Sequence, residues 1–281
     1  MTSPQTPEKA AAGPSPLVVT GSGISIRDVS HTYEARSASG VLALDGISLE
    51  IGDGEFHCLL GPSGCGKSTL LYLIGGFIPV QSGSISTAAG PVTAPGPDRS
   101  IVFQNFALFP WKTVRDNVLY GLKKAGFGPA ERQKRAQHYI DLVHLTGFED
   151  AYPSQLSGGM QQRTAIARTL AVDPGILLMD EPFGALDAQT RRVMQEELRA
   201  IWRSSRKAVV FVTHDVQEAV FLADRISIMS ARPGRIRHVI DVDLPRERGE
   251  EILENRAFNQ LSERIWRLVR EEAIAATRGA H

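Results

Sequence analysis

Three short stretches of this 281-residue chain combine glycine, hydroxyl, lysine and carboxylate residues at spacings suited to phosphate chemistry. The first is Gly61-Pro62-Ser63-Gly64-Cys65-Gly66-Lys67-Ser68, followed by Thr69, and it fits the pattern G-x-x-x-x-G-K-[ST]. Its glycines allow tight backbone turns, so successive N–H groups can converge on phosphate oxygens. A helix starting at Lys67 would add the partial positive charge of its N-terminus. Lys67 can then bridge β- and γ-phosphates, and the Ser68 hydroxyl can ligate Mg²⁺. The second stretch is the apolar run Ile176 to Met179, which ends in Asp180-Glu181. Alternation along a strand aims neighbouring side chains to different sides. Asp180 is therefore expected to reach the metal and Glu181 to face an attacking water, since hydrolysis of a γ-phosphoryl group needs positioning and charge neutralisation above all. The third is Ser157-Gly158-Gly159, where Ser157 reads as a helix N-cap before two glycines, a second place for an anion.

The elements that must position these residues are legible in the apolar pattern. Phe56 to Leu60, Ile101 to Phe103, Ile176 to Asp180, Ala208 to Thr213 and Arg225 to Met229 are more continuously apolar than their surroundings and predict strands buried on both faces. Helices are predicted over Lys67 to Ile74, Gln189 to Ser204 and Val216 to Leu222. Ile24 and Ile26, and Ile47, Leu49 and Ile51, alternate with other residues and predict half-exposed antiparallel strands. From Val114 to Leu170 only helical patterns occur: Val114 to Lys124, Pro129 to Leu145 and Gly158 to Leu170. The fold expected is α/β, with a parallel-sheet core, a small antiparallel layer and an inserted helical subdomain over about 105–170. After Pro245, the spacing of Ile252, Phe258, Leu261, Ile265 and Leu268 predicts an amphipathic helical tail. Residues 1–22, rich in Pro, Ser, Thr and Ala, are expected to be a disordered tail before a domain at 23–245.

Composition narrows the partners. Lys plus Arg and Asp plus Glu both number 31, so no net positive charge favours nucleic acid. Cys58 and Cys65 form neither a disulfide framework nor a metal-type spacing. No apolar run approaches the length of about 20 residues needed to span a bilayer, and the N-terminus lacks a secretory pattern.

Leu156-Ser157-Gly158-Gly159-Met160-Gln161-Gln162-Arg163 resembles the LSGGQ signature of ABC ATPases, with Met160 where that family usually has Gln. The rest of the pattern lies in order. Gln104 resembles the Q-loop glutamine, which links metal and water to a transmembrane partner. Asp187, in Gly184-Ala185-Leu186-Asp187, resembles the D-loop aspartate that crosses the dimer interface. His214 resembles the switch histidine that contacts the γ-phosphate, and Tyr33 the aromatic residue that stacks on adenine. The resemblance, from about Ile24 to Leu244, implies a P-loop NTPase cassette with a RecA-like core. It implies ATP and Mg²⁺ as ligands, with Ser68, Gln104 and Asp180 on the metal and Glu181, Gln104 and His214 in catalysis. It also implies a homodimer in which Ser157, Gly158, Gly159 and Asp187 of one copy serve the nucleotide held by the other.

Too few residues separate Lys67 from Leu156 for the coiled coil of a chromosome-type ABC ATPase, only one cassette is present, and no N-K-x-D motif suggests GTP. Separate transmembrane permease subunits are therefore expected, with a periplasmic or lipoprotein substrate-binding protein behind them, at the cytoplasmic face of the inner membrane. The aromatic stretch Asn105 to Trp111 either docks on those subunits or packs under the helical insertion. Gly75 to Pro79, Val102 to Asn105, Leu108 to Trp111, Val114 to Val118 and Ala231 to Ile236 are similar to importers of the nitrate, sulfonate and taurine group, taurine-type cassettes most of all. Other cargo, export, and a non-transport nucleotide switch remain as alternatives.

Overall fold

The central strands are buried at every position, and their side chains alternate between two core clusters, one on each face of a sheet. The computed structural model describes residues 23–34, 40–205, 207–245 and 247–278; the tail expected at 1–22 lies outside them. Ten strands occur among these residues: β1 (Ile24–Tyr33), β2 (Val41–Ile51), β3 (Phe56–Leu60), β4 (Ser82–Thr87), β5 (Gly90–Pro91), β6 (Arg99–Val102), β7 (Ile176–Asp180), β8 (Ala208–Val212), β9 (Arg225–Met229) and β10 (Ile236–Asp241). The helices are α1 (Lys67–Gly75), α2 (Val114–Lys124), α3 (Pro129–Leu142), α4 (Gly158–Ala171), α5 (Ala188–Ser205), α6 (Val216–Leu222) and α7 (Arg256–Arg278).

The larger sheet has the order β10-β9-β3-β8-β7-β6. Its inner pairings are parallel, and β10 joins antiparallel at the edge. Phe56, Cys58, Leu177, Met179, Val209 and Phe211 point to the face covered by α2, α4 and α6. Leu59, Ile176, Leu178, Val210 and Val212 point to the opposite face, as the two-residue strand period requires. There they meet Leu70, Leu71, Leu73 and Ile74 of α1, which also pack against Ile24, Ile26, Leu44 and Ile47 of the second sheet. That sheet has the order β2-β1-β4-β5 and is antiparallel. Helix α1 thus lies between two sheets, and the loop entering it is clamped from both sides.

Several boundaries differ from the sequence expectation. Helix α3 ends at Leu142 rather than Leu145, because His144 takes a left-handed conformation (φ 55°) while Leu145 turns into the core. Strand β6 ends at Val102, releasing Phe103 to pack against Tyr72 and Phe77. Ile252 belongs to a separate 3-10 turn (Glu250–Glu254), and the tail helix begins at Arg256. Strands β4, β5 and β10 escaped sequence reading, because they are short edge or meander strands with little buried apolar surface; Ile240 is the buried residue of β10. Before the tail helix, the buried Arg248 donates to the carbonyls of Val220 (2.8 Å), Phe221 (3.1 Å) and Ala223 (2.8 Å). It closes the C-terminus of α6, where a cation is favoured, and burial lowers its pKa to about 10.

Candidate active site

The loop from Gly61 to Gly66 leaves the C-terminal end of β3 and turns into α1. Gly66 is the helix N-cap at φ 100°, a conformation that L side chains avoid. A Cβ there would also lie 2.6 Å from Leu44 Cδ2, so glycine is required by both backbone and space. No side chain caps α1, so its first N–H groups are available to an anion. Lys67 Nζ donates to the carbonyls of Gly61 (2.8 Å) and Pro62 (3.0 Å), curling over the loop. Cys65 is buried beneath it, and burial raises its pKa.

Behind the loop, Ser68 Oγ donates to Asp180 Oδ1 at 2.9 Å, and Tyr72 OH donates to Asp180 Oδ2 at 3.0 Å. Asp180 is 1% exposed, and its pKa is raised, chiefly by burial and against the effect of these two donors. Tyr72 is itself pushed up to about 12 by burial and by the neighbouring carboxylate. Tyr72 was missed by sequence reasoning, since a tyrosine one turn into an apolar helix carries no motif.

Glu181 is aimed by a different cause from the one expected. Strand β7 ends at Asp180, and Glu181 takes a left-handed conformation (φ 46°) while its N–H donates to Val212 O at 3.0 Å. This backbone turn, not strand alternation, directs its side chain. Such a conformation is strained for a side chain of this kind and occurs where surrounding structure enforces it. Glu181 Oε2 lies 3.3 Å from Gln104 Nε2 and 3.3 Å from His214 Nδ1. His214 follows β8 and is exposed, on a turn held by its neighbours. The Thr213 hydroxyl donates to Glu218 and accepts from Asp215 N–H, and Asp215 caps α6 through the amides of Gln217 and Glu218. Burial raises the pKa of Glu218, which also accepts from Gln195 Nε2 at 2.9 Å.

A cleft of about 650 Å³ brings together Tyr33, Ser63, Gly64, Gly66, Lys67, Ser68, Thr69, Gln104, Glu181 and His214. Tyr33 is part-exposed at its edge, with its hydroxyl 3.2 Å from that of Thr69. Gly61, Pro62 and Cys65 form the body of the loop rather than the lining, and Asp180 lies behind Ser68.

Ser157, Gly158, Gly159 and Asp187 do not line this cleft. Ser157 accepts from Met160 N–H at 3.3 Å, capping α4 as expected, and both Ser157 and Gly158 are exposed. A Cβ on Gly159 would approach Leu186 Cδ2 at 3.0 Å, so the start of α4 abuts the segment carrying Asp187. Asp187 accepts from Thr190 N–H at 2.9 Å, which holds its carboxyl below the usual range.

The segment after Gln104 divides its aromatics. Phe106 and Ala107 take left-handed conformations, and Arg168 of α4 donates to both carbonyls, at 3.0 and 2.7 Å. Phe109 packs on Tyr120 of α2, with ring centroids 4.6 Å apart, while Trp111 is 69% exposed. The buried amide of Asn117 binds the backbone of Phe109, Lys112 and Thr113.

Comparisons with known proteins bear on the family and the fold. The family model described as ABC transporter matches residues 44–184. The nitrate import ATP-binding protein NrtD of Synechocystis sp. is 48% identical over 84% of this chain and 87% of its own length. The taurine import ATP-binding protein TauB of Rhizobium johnstonii is 50% identical over 78% of this chain and 83% of its own. A solved dimeric ATP-binding cassette in a post-hydrolysis state, bound to ADP and Pi, superposes with a TM-score of 0.73 at 32% identity, covering 79% of this chain and all of that one. Among the described residues, no helix is long and apolar enough to cross a membrane. With its phosphate loop, carboxylate pair and signature helix in place, this chain belongs to the ABC transporter family as an ATP-binding, ATP-hydrolysing cassette.

Proposed function

We propose that the chain energises import of a small oxyanion or sulfonate, in the range of nitrate, alkanesulfonate and taurine. It works as a dimer at the cytoplasmic face of the inner membrane, beneath separate permease subunits fed by a substrate-binding protein. The cargo class is supported by the two relatives named for nitrate and taurine import. The dimer is supported by the solved cassette that is dimeric, and by the exposure of Ser157 and Gly158 away from their own chain's cleft. The cassette proper is assigned to 23–245, with the helical subdomain at about 105–170 and the tail at 246–281. Trp111, exposed beside Phe109, is assigned to the surface that meets the permease.

The observation that carries the catalytic reading is the meeting of Glu181, Gln104 and His214 at 3.3 Å separations on the rim of the cleft that Lys67 and Ser68 line. Lys67 and the loop amides hold the phosphates, and Tyr33 stacks on the base. Ser68, Asp180 and Gln104 would hold Mg²⁺. The donors fit that ion: a hydroxyl and a carboxylate 2.9 Å apart offer hard oxygens and leave other positions to phosphate and water. Among the described residues no cluster of three His, Cys, Asp or Glu forms an all-protein cage. When bound there, the ion would supply charge neutralisation for the phosphate chain. Glu181 accepts a proton from the attacking water as its oxygen bonds to the γ-phosphorus. The bond from that phosphorus to the β–γ bridging oxygen breaks, leaving ADP and phosphate. His214 contacts the γ-phosphate, and Ser157 with Gly158 and Gly159 of the twin copy completes the pocket.

Glu181→Gln keeps shape and hydrogen bonding but cannot take the proton. It is expected to bind ATP, to lose at least about a hundredfold in phosphate release, as removal of a general base does, and to accumulate as a dimer on size exclusion with ATP. Turnover near the wild-type rate would overturn the assignment.

A further inference from the structure

The loop that follows β9 has no part in the roles assigned above, yet it closes one side of the cleft. Ser230 organises it. Its N–H donates to Arg235 O (2.9 Å), and its hydroxyl lies 3.0 Å from the Ala231 and Pro233 carbonyls and accepts from Arg235 N–H (3.0 Å). Gly234 is bound on both sides to β2, donating to Ala43 O (2.9 Å) and accepting from Asp45 N–H (3.0 Å). A Cβ on Gly234 would sit 2.1 Å from Cys65 O, so the loop rests directly on the phosphate loop. Arg235 pairs with Asp45 and pins the far end.

These contacts hold Arg232 against the phosphate loop. Its Nε and Nη2 both donate to Gly64 O, at 3.3 and 3.2 Å. Two of the five N–H donors of the guanidinium are thereby used. No carboxylate among the described residues lies within ion-pair distance of it, whereas Arg235 and Arg237 on the same segment are paired with Asp45 and Glu272. Arg232 also lines the cleft, and it and Lys67 are the only lysine or arginine side chains among the lining residues. A guanidinium with donors to spare, no acidic partner and a fixed seat beside consecutive phosphate-loop amides is suited to a phosphate oxygen, because charge-assisted forked bonds are its strongest contacts.

We propose that Arg232 is a binding residue for the nucleotide's phosphate chain, donating to a phosphate oxygen while it spans Gly64, so that the loop after β9 forms one wall of the phosphate site. The inference rests on the nucleotide assignment of the cleft. The test is displacement of a fluorescent ATP analogue from the purified full chain by ATP and, separately, by adenosine, in the wild type and in Arg232→Ala, Arg232→Gln and Arg232→Lys. The Ala and Gln variants should weaken ATP about fivefold to tenfold, the scale of a lost charge-assisted bond discounted for the exposure of Arg232, and leave adenosine within about twofold. The Lys variant should recover part of the loss, and raised KCl should narrow the difference between wild type and Ala. In ATPase assays KM should rise more than kcat falls. Equal ATP affinity in the wild type and both neutral variants would overturn the role of Arg232 alone. Parallel losses for ATP and adenosine would overturn it too, as they would report a distorted loop. Failure of the wild type to bind ATP would overturn the nucleotide assignment and this inference with it.

Discussion

Tyr72→Phe removes one oxygen and should move the pH dependence of the whole site. The Tyr72 hydroxyl donates to Asp180 Oδ2 at 3.0 Å, and Ser68 Oγ donates to Oδ1 at 2.9 Å. Asp180 is almost wholly buried and its pKa is already raised by that burial. A hydrogen bond to a charged group is worth about 1.5–3 kcal/mol. Loss of one bond to the carboxylate form therefore raises the pKa of Asp180 further, and about 1.4 kcal/mol is a tenfold change in a protonation equilibrium. Protonated Asp180 cannot serve a cation, so the acid limb of kcat/KM, which reports free-enzyme groups, should shift up by about 1–2 pH units. Half-saturating Mg²⁺ below neutral pH should rise with it. Stability carries the same sign. A carboxyl whose pKa is higher folded than unfolded costs the fold stability, a cost that sets in above the unfolded pKa and is complete above the folded one. Tyr72→Phe enlarges that cost, so the variant should lose more stability than the wild type as pH rises from about 4 toward neutrality. The assay is ATPase kinetics across pH at fixed free Mg²⁺, with a thermal-unfolding series alongside. Superimposable acid limbs for the two proteins would refute the reasoning.

Asn117→Ala leaves Phe109 N–H and three carbonyls without the buried amide that now binds them. It should cost about 2–3 kcal/mol and lower Tm by roughly 4–10 °C, and a shift under about 2 °C in calorimetry would show that the loop does not depend on it. Phe258→Ala deletes a wholly buried anchor of α7. Because a terminal helix can open alone at less cost than the about 3–5 kcal/mol of the cavity, hydrogen exchange should quicken across α7 while ATP binding persists. Unchanged protection there would count against the tail being held by this contact.

Much of this protein was readable from local pattern. Phe56 to Leu60 and Ile176 to Asp180 are buried throughout and mostly apolar because both faces of their sheet are covered, by α1 on one side and by α2, α4 and α6 on the other. The glycine spacing of the phosphate loop, the Ser157 cap and the Asp180-Glu181 pair at a strand end are equally local, since turns, caps and strand ends are set by neighbouring residues, whereas Gln104 and His214 stood out through the family resemblance. Tertiary structure decided the rest, where partners are far apart in sequence. The left-handed turn at Glu181 depends on its N–H reaching Val212 O. Tyr72 meets Asp180 across 108 positions, and Arg232 meets Gly64 across 168. Hydrogen bonds between strands, helices and loops form only after the sheet has stacked them. A pattern of periods 2 and 3.6 carries which face a residue occupies, but not which distant residue it will find there.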